Sequence, residues 1–373
     1  MQRQEIKDLI KKYNSGGCSE EEKSLLETWY LQFEYPELKD LSERERTADL
    51  THIWNSLPIN KNKVFQFKPL YRVAAMLFIC LFVGLYIYNK NKESNQEQII
   101  QTIAQNLKSG GTKAILTLSS GKQIVLSDSS DGELASQQGA SISKTSHGTI
   151  KYLPENTSAK QLVYNVMETP AGGTYEITLS DGTKVTLDAS SSIKYPVNFL
   201  GNERNVAVTG QAYFKVSHNA KKPFRVTTKG QTIEVLGTEF NINGYTDDTN
   251  LTTTLINGSI KITNQGQIAF LKPGQQSIIK QGSSAVNLDL ADLETSISWK
   301  NGIFKFKRAS LQTVMQQFAR WYDVEIVYEG SIPNYAITGK VSRNANASQV
   351  LQIVSKLGVK FKKEGKKIVI LGN

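Results

Sequence analysis

RNVAVTGQAYFKV, at residues 204–216, has the pattern of a long β-strand near the middle of the chain. Apolar and polar residues alternate through its first half, which is typical of a half-buried strand. Tyr213 and Phe214 interrupt this alternation, so the two rings could pack on opposite faces of the strand. Gly210 marks a turn or a close approach of two backbone segments.

Strand signals surround this stretch on both sides, and they include an internal repeat. GGTKAILTLSSGKQIVL begins at Gly110, and GGTYEITLSDGTKVTL begins at Gly172. Each alternates apolar and polar residues around a Ser-Ser-Gly or Ser-Asp-Gly turn, the signature of a β-hairpin. Two stacked antiparallel hairpins of this kind can share one core. We therefore predict an all-β domain over residues 110–295, with a loop-rich stretch at 127–165.

Composition indicates a globular protein of two or three domains. The chain has 373 residues, 39% hydrophobic and 21% charged, with a formal net charge of +10. Residues 1–72 hold twelve Lys/Arg and twelve Asp/Glu, so the positive excess is spread over the rest of the chain. Such diffuse charge argues against direct nucleic-acid binding. The two cysteines and three histidines have no metal-ligand spacing, and no cofactor is predicted.

The most apolar stretch is LYRVAAMLFICLFVGLYIY, residues 70–88. A helix of this length is about long enough for a bilayer core, and its one charge can reach the headgroups. We predict a transmembrane helix here; the alternative is a buried helix of a soluble protein. More Lys and Arg residues precede the stretch than follow it, which predicts a cytoplasmic N-terminus. Residues 89–109 are predicted to be a polar linker. The residues expected at the membrane interface are Tyr71, Arg72, Tyr86 and Tyr88.

Residues 1–60 are predicted to form a small all-α cytoplasmic bundle. Apolar residues recur there at helical spacing, and Ser19 with Glu22 makes a capping box for the second helix. Three short helices bury little surface. Their apolar residues therefore either form the bundle's own core or complete the fold on a cytoplasmic partner. The residues expected to contact such a partner are Leu25, Leu26, Trp29, Tyr30 and Trp54.

Residues 299–373 are predicted to form a C-terminal α+β module. The elements follow in the order β-α-β, β-α-β-β, which gives a small sheet with helices on one face. The aromatic stripe of its first helix is either core or a binding surface, and a partner could instead add to a sheet edge. With the bundle, the span and the β domain, the chain is predicted to be a multi-domain membrane protein.

Six short motifs over residues 172–279 resemble the FecR family of membrane-bound sigma-factor regulators. They are DGTKVTLDASSSIKYPVNF, RNVAVTGQAYFKV, KPFRV, VLGTEFNINGY, TTTLINGSIKI and LKPGQQSII. The usual family pattern, Gly-Glu-Ala-Tyr-Phe-Glu-Val, has acidic residues where this chain has Gln211 and Lys215, so no role of those carboxylates is carried over. The last 75 residues resemble the short N-terminal module of secretins and TonB-dependent receptors.

The resemblance implies an anti-sigma factor in the bacterial inner membrane, with its bulk in the periplasm. Its partners would be a cytoplasmic ECF-type sigma factor and the N-terminal signalling domain of an outer-membrane TonB-dependent receptor. The genes controlled would serve uptake of a nutrient, an iron complex or a glycan. The residues expected in the receptor-facing module are Phe304, Trp321 and Tyr322. The alternatives are a secretin-associated envelope scaffold and a tethered glycan-binding protein.

No catalytic constellation is visible in the sequence, so the chain is not predicted to be an enzyme. One bond is an exception to consider. The Thr238 hydroxyl could attack the Gly237 carbonyl and give an ester that water cleaves. Several relatives in the resembled family are thought to cut themselves at such a bond; the alternative is an uncut turn.

Overall fold

The computed structural model of the chain divides into two compact units, Met1–Leu81 and Phe82–Asn373. For residues 69–75 and 88–95 the structure describes the backbone alone. The described residues are 3–32, 47, 52, 69–105, 107–127, 129, 131–137, 140–145, 149–154 and 161–372.

The first unit contains two described N-terminal helices, α1 (Arg3–Asn14) and α2 (Glu20–Gln32). The capping box is present, because the Ser19 amide donates to Glu22 Oε2 at 2.9 Å and the Glu22 amide donates to Ser19 Oγ at 3.3 Å. Gly16, with φ of +74°, lies in the turn that ends α1. The predicted third helix, which carries Trp54, lies outside the described residues.

One continuous helix, α3 (Pro69–Ala104), replaces the predicted span and most of the predicted linker. No helix in the described part of the chain is both long and apolar enough to cross a membrane, so the prediction of a transmembrane helix at 70–88 is wrong. The membrane-interface roles predicted for Tyr71, Arg72, Tyr86 and Tyr88 depended on that span. The side chains of Tyr71, Arg72 and Tyr88 lie outside those described, and Tyr86 is exposed. The physical difference is that the helix continues through the polar sequence NKNKESNQEQ and ends in apolar contacts near Ile103.

The β domain is a sandwich of two sheets rather than a stack of antiparallel hairpins. Sheet 1 has the order β3-β2-β7-β10-β11-β12-β13-β16-β17. Sheet 2 has the order β4-β5-β6-β8-β9-β11-β14-β15-β18-β19. The pairs β1–β8, β6–β8 and β11–β12 are parallel, which a stack of hairpins does not contain. The strands are β1 (Gly111–Thr112), β2 (Ile115–Thr117), β3 (Gln123–Val125), β4 (Gly132–Gln137), β5 (Ala140–Lys144), β6 (Ile150–Pro154), β7 (Tyr164–Thr169), β8 (Gly173–Thr178), β9 (Lys184–Leu187), β10 (Ser191–Pro196), β11 (Arg204–Lys215), β12 (Phe224–Thr228), β13 (Gln231–Val235), β14 (Glu239–Gly244), β15 (Asn250–Asn257), β16 (Ile260–Asn264), β17 (Gln267–Leu271), β18 (Gln275–Lys280) and β19 (Asn287–Leu290).

Strand β11 belongs to both sheets, and Gly210 is the residue at which it changes sheet. Its first part pairs with β10 and β12, and the part from Gly210 onwards pairs with β9 and β14. Gly210 has φ of +78°, and a Cβ there would lie 2.4 Å from Ser191 Oγ. Beyond the bend, Phe214 stacks on Phe240 in the sandwich core at 5.0 Å between ring centroids. Tyr213 lies outside that core, beneath the Lys300 ammonium.

The C-terminal module contains two small sheets, β20–β22 and β21–β24–β23, rather than the single sheet that the sequence suggested. Asp292 and Ser310 cap the first two helices, and Asn346 forms a capping box with Gln349 at the third. The elements are α4 (Leu293–Ile297), a 3₁₀ turn (Ser298–Asn301), β20 (Ile303–Ala309), α5 (Leu311–Tyr322), β21 (Glu325–Glu329), β22 (Ile337–Ser342), α6 (Ala347–Ser355), β23 (Lys360–Glu364) and β24 (Lys367–Leu371).

The sheet change at Gly210 makes a test of the sandwich. Gly210→Ala combines left-handed strain with a clash against Ser191, and we expect it to lower the free energy of unfolding by roughly 3 kcal/mol or more. Gly201 has φ of +73° but open space around a Cβ, so Gly201→Ala is the matched control, with an expected loss of about 1 kcal/mol. Urea unfolding midpoints measure both. Equal losses would mean that the close packing at Gly210 is unimportant.

Candidate functional site

Helices α1 and α2 present an apolar groove of about 400 Å³. Within residues 3–32, Ile6 is the one buried apolar side chain, so this helix pair covers little of its own apolar surface. Tyr30 is 65% exposed and Leu31 is 84% exposed. The residues that line the groove are Ile10, Tyr13, Leu26, Glu27, Trp29, Tyr30 and Leu31.

The structure brings together three of the predicted partner-binding residues at this groove, namely Leu26, Trp29 and Tyr30. Leu25 is exposed beside a second groove on α2, which Trp29 also lines. Trp54 lies outside the described residues. Ile10 and Tyr13 of α1 were not predicted at the site, although their helical spacing could have indicated them. The groove has the apolar and aromatic composition of a protein-binding surface.

Gly237 and Thr238 lie between β13 and β14 in a closely packed turn. A Cβ on Gly237 would lie 2.6 Å from Nδ1 of His218, so that position requires glycine. Thr238 is buried, and its Oγ1 donates to the Ser259 carbonyl at 2.9 Å. A Cβ on Gly258, whose φ is +96°, would lie 2.8 Å from the same Oγ1. The glycines around this bond therefore serve close packing.

The Thr238 hydroxyl donates its hydrogen bond to a backbone carbonyl rather than to a general base. Its proton is directed at a carbonyl oxygen, and a carbonyl does not accept a proton at neutral pH. Neither Gly237 nor Thr238 has a left-handed backbone, so the strain that would drive attack on the carbonyl is not seen in φ. Self-cleavage at this bond stays a prediction.

Intact mass spectrometry of the purified full chain tests the self-cleavage hypothesis. Cleavage would give two fragments that divide after Gly237, because the ester formed by Thr238 would hydrolyse there. Thr238→Ala removes the hydroxyl and would give one uncut species, whereas Thr238→Ser keeps a hydroxyl and would still be cut. A single intact mass for the unmodified chain would exclude the reaction.

The three aromatic residues predicted to face a receptor, Phe304, Trp321 and Tyr322, are buried in the C-terminal module. Tyr322 donates its hydroxyl to the Ala345 carbonyl at 2.7 Å, and burial raises its pKa to about 12. Trp321 donates its indole N–H to the Arg343 carbonyl at 2.7 Å. Trp321 and Tyr322 thus hold the loop that contains Arg343 and Ala345 in place. The receptor-facing role of the three aromatic residues stays a prediction.

A buried ion pair joins the module to the sandwich. The guanidinium of Arg343 donates to both carboxylate oxygens of Asp188, at 2.5 and 2.9 Å. The side chains are only 4% and 5% exposed. The guanidinium carbon also lies 4.6 Å from the ring centroid of Trp321 and 5.0 Å from that of Phe304. A bidentate pair held by aromatic rings fixes position and orientation together.

A second contact joins the same two parts at Arg320. Its Nη2 lies 2.8 Å from Asp247 Oδ1 and 2.6 Å from Asp248 Oδ1. The guanidinium stacks over Tyr245 at 3.6 Å from the ring centroid. Tyr245 is buried, which raises the pKa of its hydroxyl well above the usual value, and it donates to the Ala189 carbonyl at 2.7 Å.

The two copies of the internal repeat meet at Trp321. A Cβ on Gly110 would lie 2.8 Å from the Trp321 ring and 2.8 Å from the Gly172 carbonyl. Gly172 donates its amide to the Arg320 carbonyl at 2.7 Å, and Gly111 donates to the Gly172 carbonyl at 2.8 Å. Gly110 thus packs against the Trp321 ring, and Gly172 packs against the Trp321 backbone. We call the surface made by Asp188, Arg343, Arg320, Trp321, Gly110 and Gly172 the junction.

The sequence did not single out the charged residues of the junction. Asp188 falls inside one of the family motifs, but a single sequence does not reveal a partner 155 residues away. Among the described residues, no group of His, Cys, Asp or Glu side chains is arranged to hold a metal ion.

Removing one partner of the buried pair tests the junction. Asp188→Asn leaves the Arg343 charge buried without a counter-charge, and we expect a loss of about 3–5 kcal/mol in the free energy of unfolding. The control Asp289→Asn removes a carboxylate from an exposed strand and should change it by less than about 0.5 kcal/mol. Chemical unfolding followed by tryptophan fluorescence measures both. If the two variants were equally stable, the pair would not hold the junction.

Comparison with known proteins agrees with this architecture. The family described as FecR protein matches residues 165–261, within the sandwich, and the family described as FecR, C-terminal, matches residues 303–370, which make up the module. Two crystal structures of a proposed anti-sigma factor from Parabacteroides distasonis are similar, at 27% and 26% identity and a TM-score of 0.53 each. Each similarity covers 56% of this chain and 99% of the other. No curated protein matches.

The sandwich and the C-terminal module, joined in one chain, define a protein of the two-domain FecR type. The resemblance noted in the motifs is confirmed, because the chain carries a FecR domain and a FecR C-terminal domain.

Proposed function

We propose that this chain is an anti-sigma factor whose N-terminal helices bind a sigma factor. The observation that carries the proposal is the combination of FecR and FecR C-terminal domains with a helix pair whose apolar groove is exposed. The similar structures from Parabacteroides distasonis are themselves described as those of a proposed anti-sigma factor. A helix pair that buries so little apolar surface gains stability when a partner covers it.

The finer assignment follows the family. The sigma factor is of the ECF type, and it binds at the groove formed by α1 and α2. The C-terminal module receives the signal from the N-terminal signalling domain of a TonB-dependent outer-membrane receptor. The output is transcription of genes for uptake of a nutrient such as an iron complex or a glycan. The location implied by the resemblance, at the bacterial inner membrane, stays a prediction.

Binding to an ECF-type sigma factor from the organism that encodes this chain tests the proposal. The full chain is immobilised, and the sigma factor is titrated in an interferometry experiment. Tyr30→Ala removes an exposed ring from the groove, so the fold should be unaffected. Because truncated aromatic hot spots cost about 2 kcal/mol or more, we expect the dissociation constant to rise at least tenfold. Trp29→Ala should weaken binding as well.

Lys7→Ala is the matched control, because Lys7 is exposed on α1 and does not line the groove. It should leave the dissociation constant within a factor of two. No binding by the unmodified chain would overturn the proposed function. Equal binding by Tyr30→Ala and Lys7→Ala would keep the partner but move its site away from the groove.

A further inference from the structure

The end of α3 lies in the core of the C-terminal module, although almost two hundred residues of chain separate the two in sequence. Ile100, Ile103 and Ala104 are buried, with at most 3% of each residue exposed. They belong to the same apolar cluster as Phe318 of α5 and Leu351 of α6. Ile99 and Leu107 pack against this cluster from the side. A helix that is only a connector would not place its side chains in the core of a distant module.

Polar contacts fix the rotation of this helix end. The Lys363 ammonium of β23 donates to the Thr102 carbonyl at 3.3 Å. Gln101 and Thr102 line one groove together with Gln352 of α6. Gln101 is exposed in this open groove, so the helix end has one buried face and one solvent-exposed face. The contacts at 99, 100, 103, 104 and 107 have the spacing of one helical face.

Along the chain, the end of α3 contacts the module first, and the sandwich begins only after it. Beyond the helix, Gly110 is wedged against Trp321, and β1 then adds to sheet 2 beside β8. The apolar core of the sandwich begins at Ala114, and none of the described residues of 96–107 belongs to it. The helix end is therefore held by the module.

We propose that the end of α3, residues 96–104, is an integral part of the C-terminal module and that docking of this helix end is coupled to partner binding by the module. Its signalling role rests on the proposed function, whereas its structural part does not. A partner that binds the module shifts the equilibrium between a docked and an undocked helix end. The docked segment is the last part of α3, which is one continuous helix from Pro69 to Ala104.

Thermodynamic coupling is reciprocal. The coupling between the end of α3 and the module can therefore be tested without a sigma factor or a receptor. If the helix end and the module form one cooperative unit, a small defect in either must loosen both. A defect in the sandwich core should leave the helix end protected.

Hydrogen exchange of the full chain, followed by mass spectrometry, measures this coupling. Ile103→Ala should speed exchange at least tenfold both in residues 98–105 and in helix α5. Gln101→Ala, two residues earlier and on the exposed face, should change neither. Ile103→Val removes a single methylene and should give the same pattern at smaller amplitude, which keeps the test valid if the alanine variant fails to fold. Faster exchange confined to residues 98–105 would overturn the proposal.

The reciprocal arm starts from the module. Val354→Ala, in the core of the module, should speed exchange in residues 98–105 at least tenfold. Ile262→Val, in the sandwich core, is the control and should leave those residues unchanged. Unchanged protection of the helix end in Val354→Ala would also overturn the proposal. The two proposals fail separately, because exchange reports on docking alone and sigma-factor binding reports on the groove.

Discussion

The buried pair between Asp188 and Arg343 is the contact on which the arrangement of sandwich and module depends. Two charges removed from water are costly, and such a pair is tolerated only when its geometry and hydrogen bonds are good. Here both Nη atoms bond the carboxylate, and two aromatic rings flank the guanidinium. An apolar contact of the same size would tolerate sliding, whereas this pair accepts one orientation. The packing of Trp321 against Gly110 and the stacking of Arg320 over Tyr245 both depend on that orientation.

The internal repeat serves this junction as well as the hairpins that follow it. Gly110 and Gly172 are each the first residue of a copy, and they lie side by side beneath Trp321. A side chain at Gly110 would collide with the indole, and Gly172 has a left-handed φ of +66°, so both copies require glycine at their first position. The first glycines of the repeat therefore allow helix α5, which carries Trp321, to pack against the sandwich.

Local patterns predicted the local structure. Alternation indicated the strands between residues 172 and 280, Ser19 and Glu22 indicated the start of α2, and the order of elements after residue 299 followed from periodicity. The exchange of β11 between two sheets was not accessible, since strand partners depend on contacts distant in sequence. The transmembrane prediction failed because it treated residues 70–88 separately from the polar helix that follows. Yet QIIQTIAQNL, residues 98–107, does carry a helical apolar period, and it could have extended the prediction towards Ala104.

Domains joined by a small interface normally move relative to each other. A partner that binds one such domain can change its position without affecting the rest of the chain. The junction removes this freedom between sandwich and module, because Arg343 and Arg320 each make charged and stacking contacts across it. The module also contacts the end of α3, which is held by apolar contacts, by a hydrogen bond from the Phe361 amide to Gln96 and by one from Lys363 to the Thr102 carbonyl. Apolar contacts along a helix can be lost a turn at a time, whereas a bidentate buried pair is lost all at once. The helix end can therefore undock in steps while the pair between Asp188 and Arg343 stays intact.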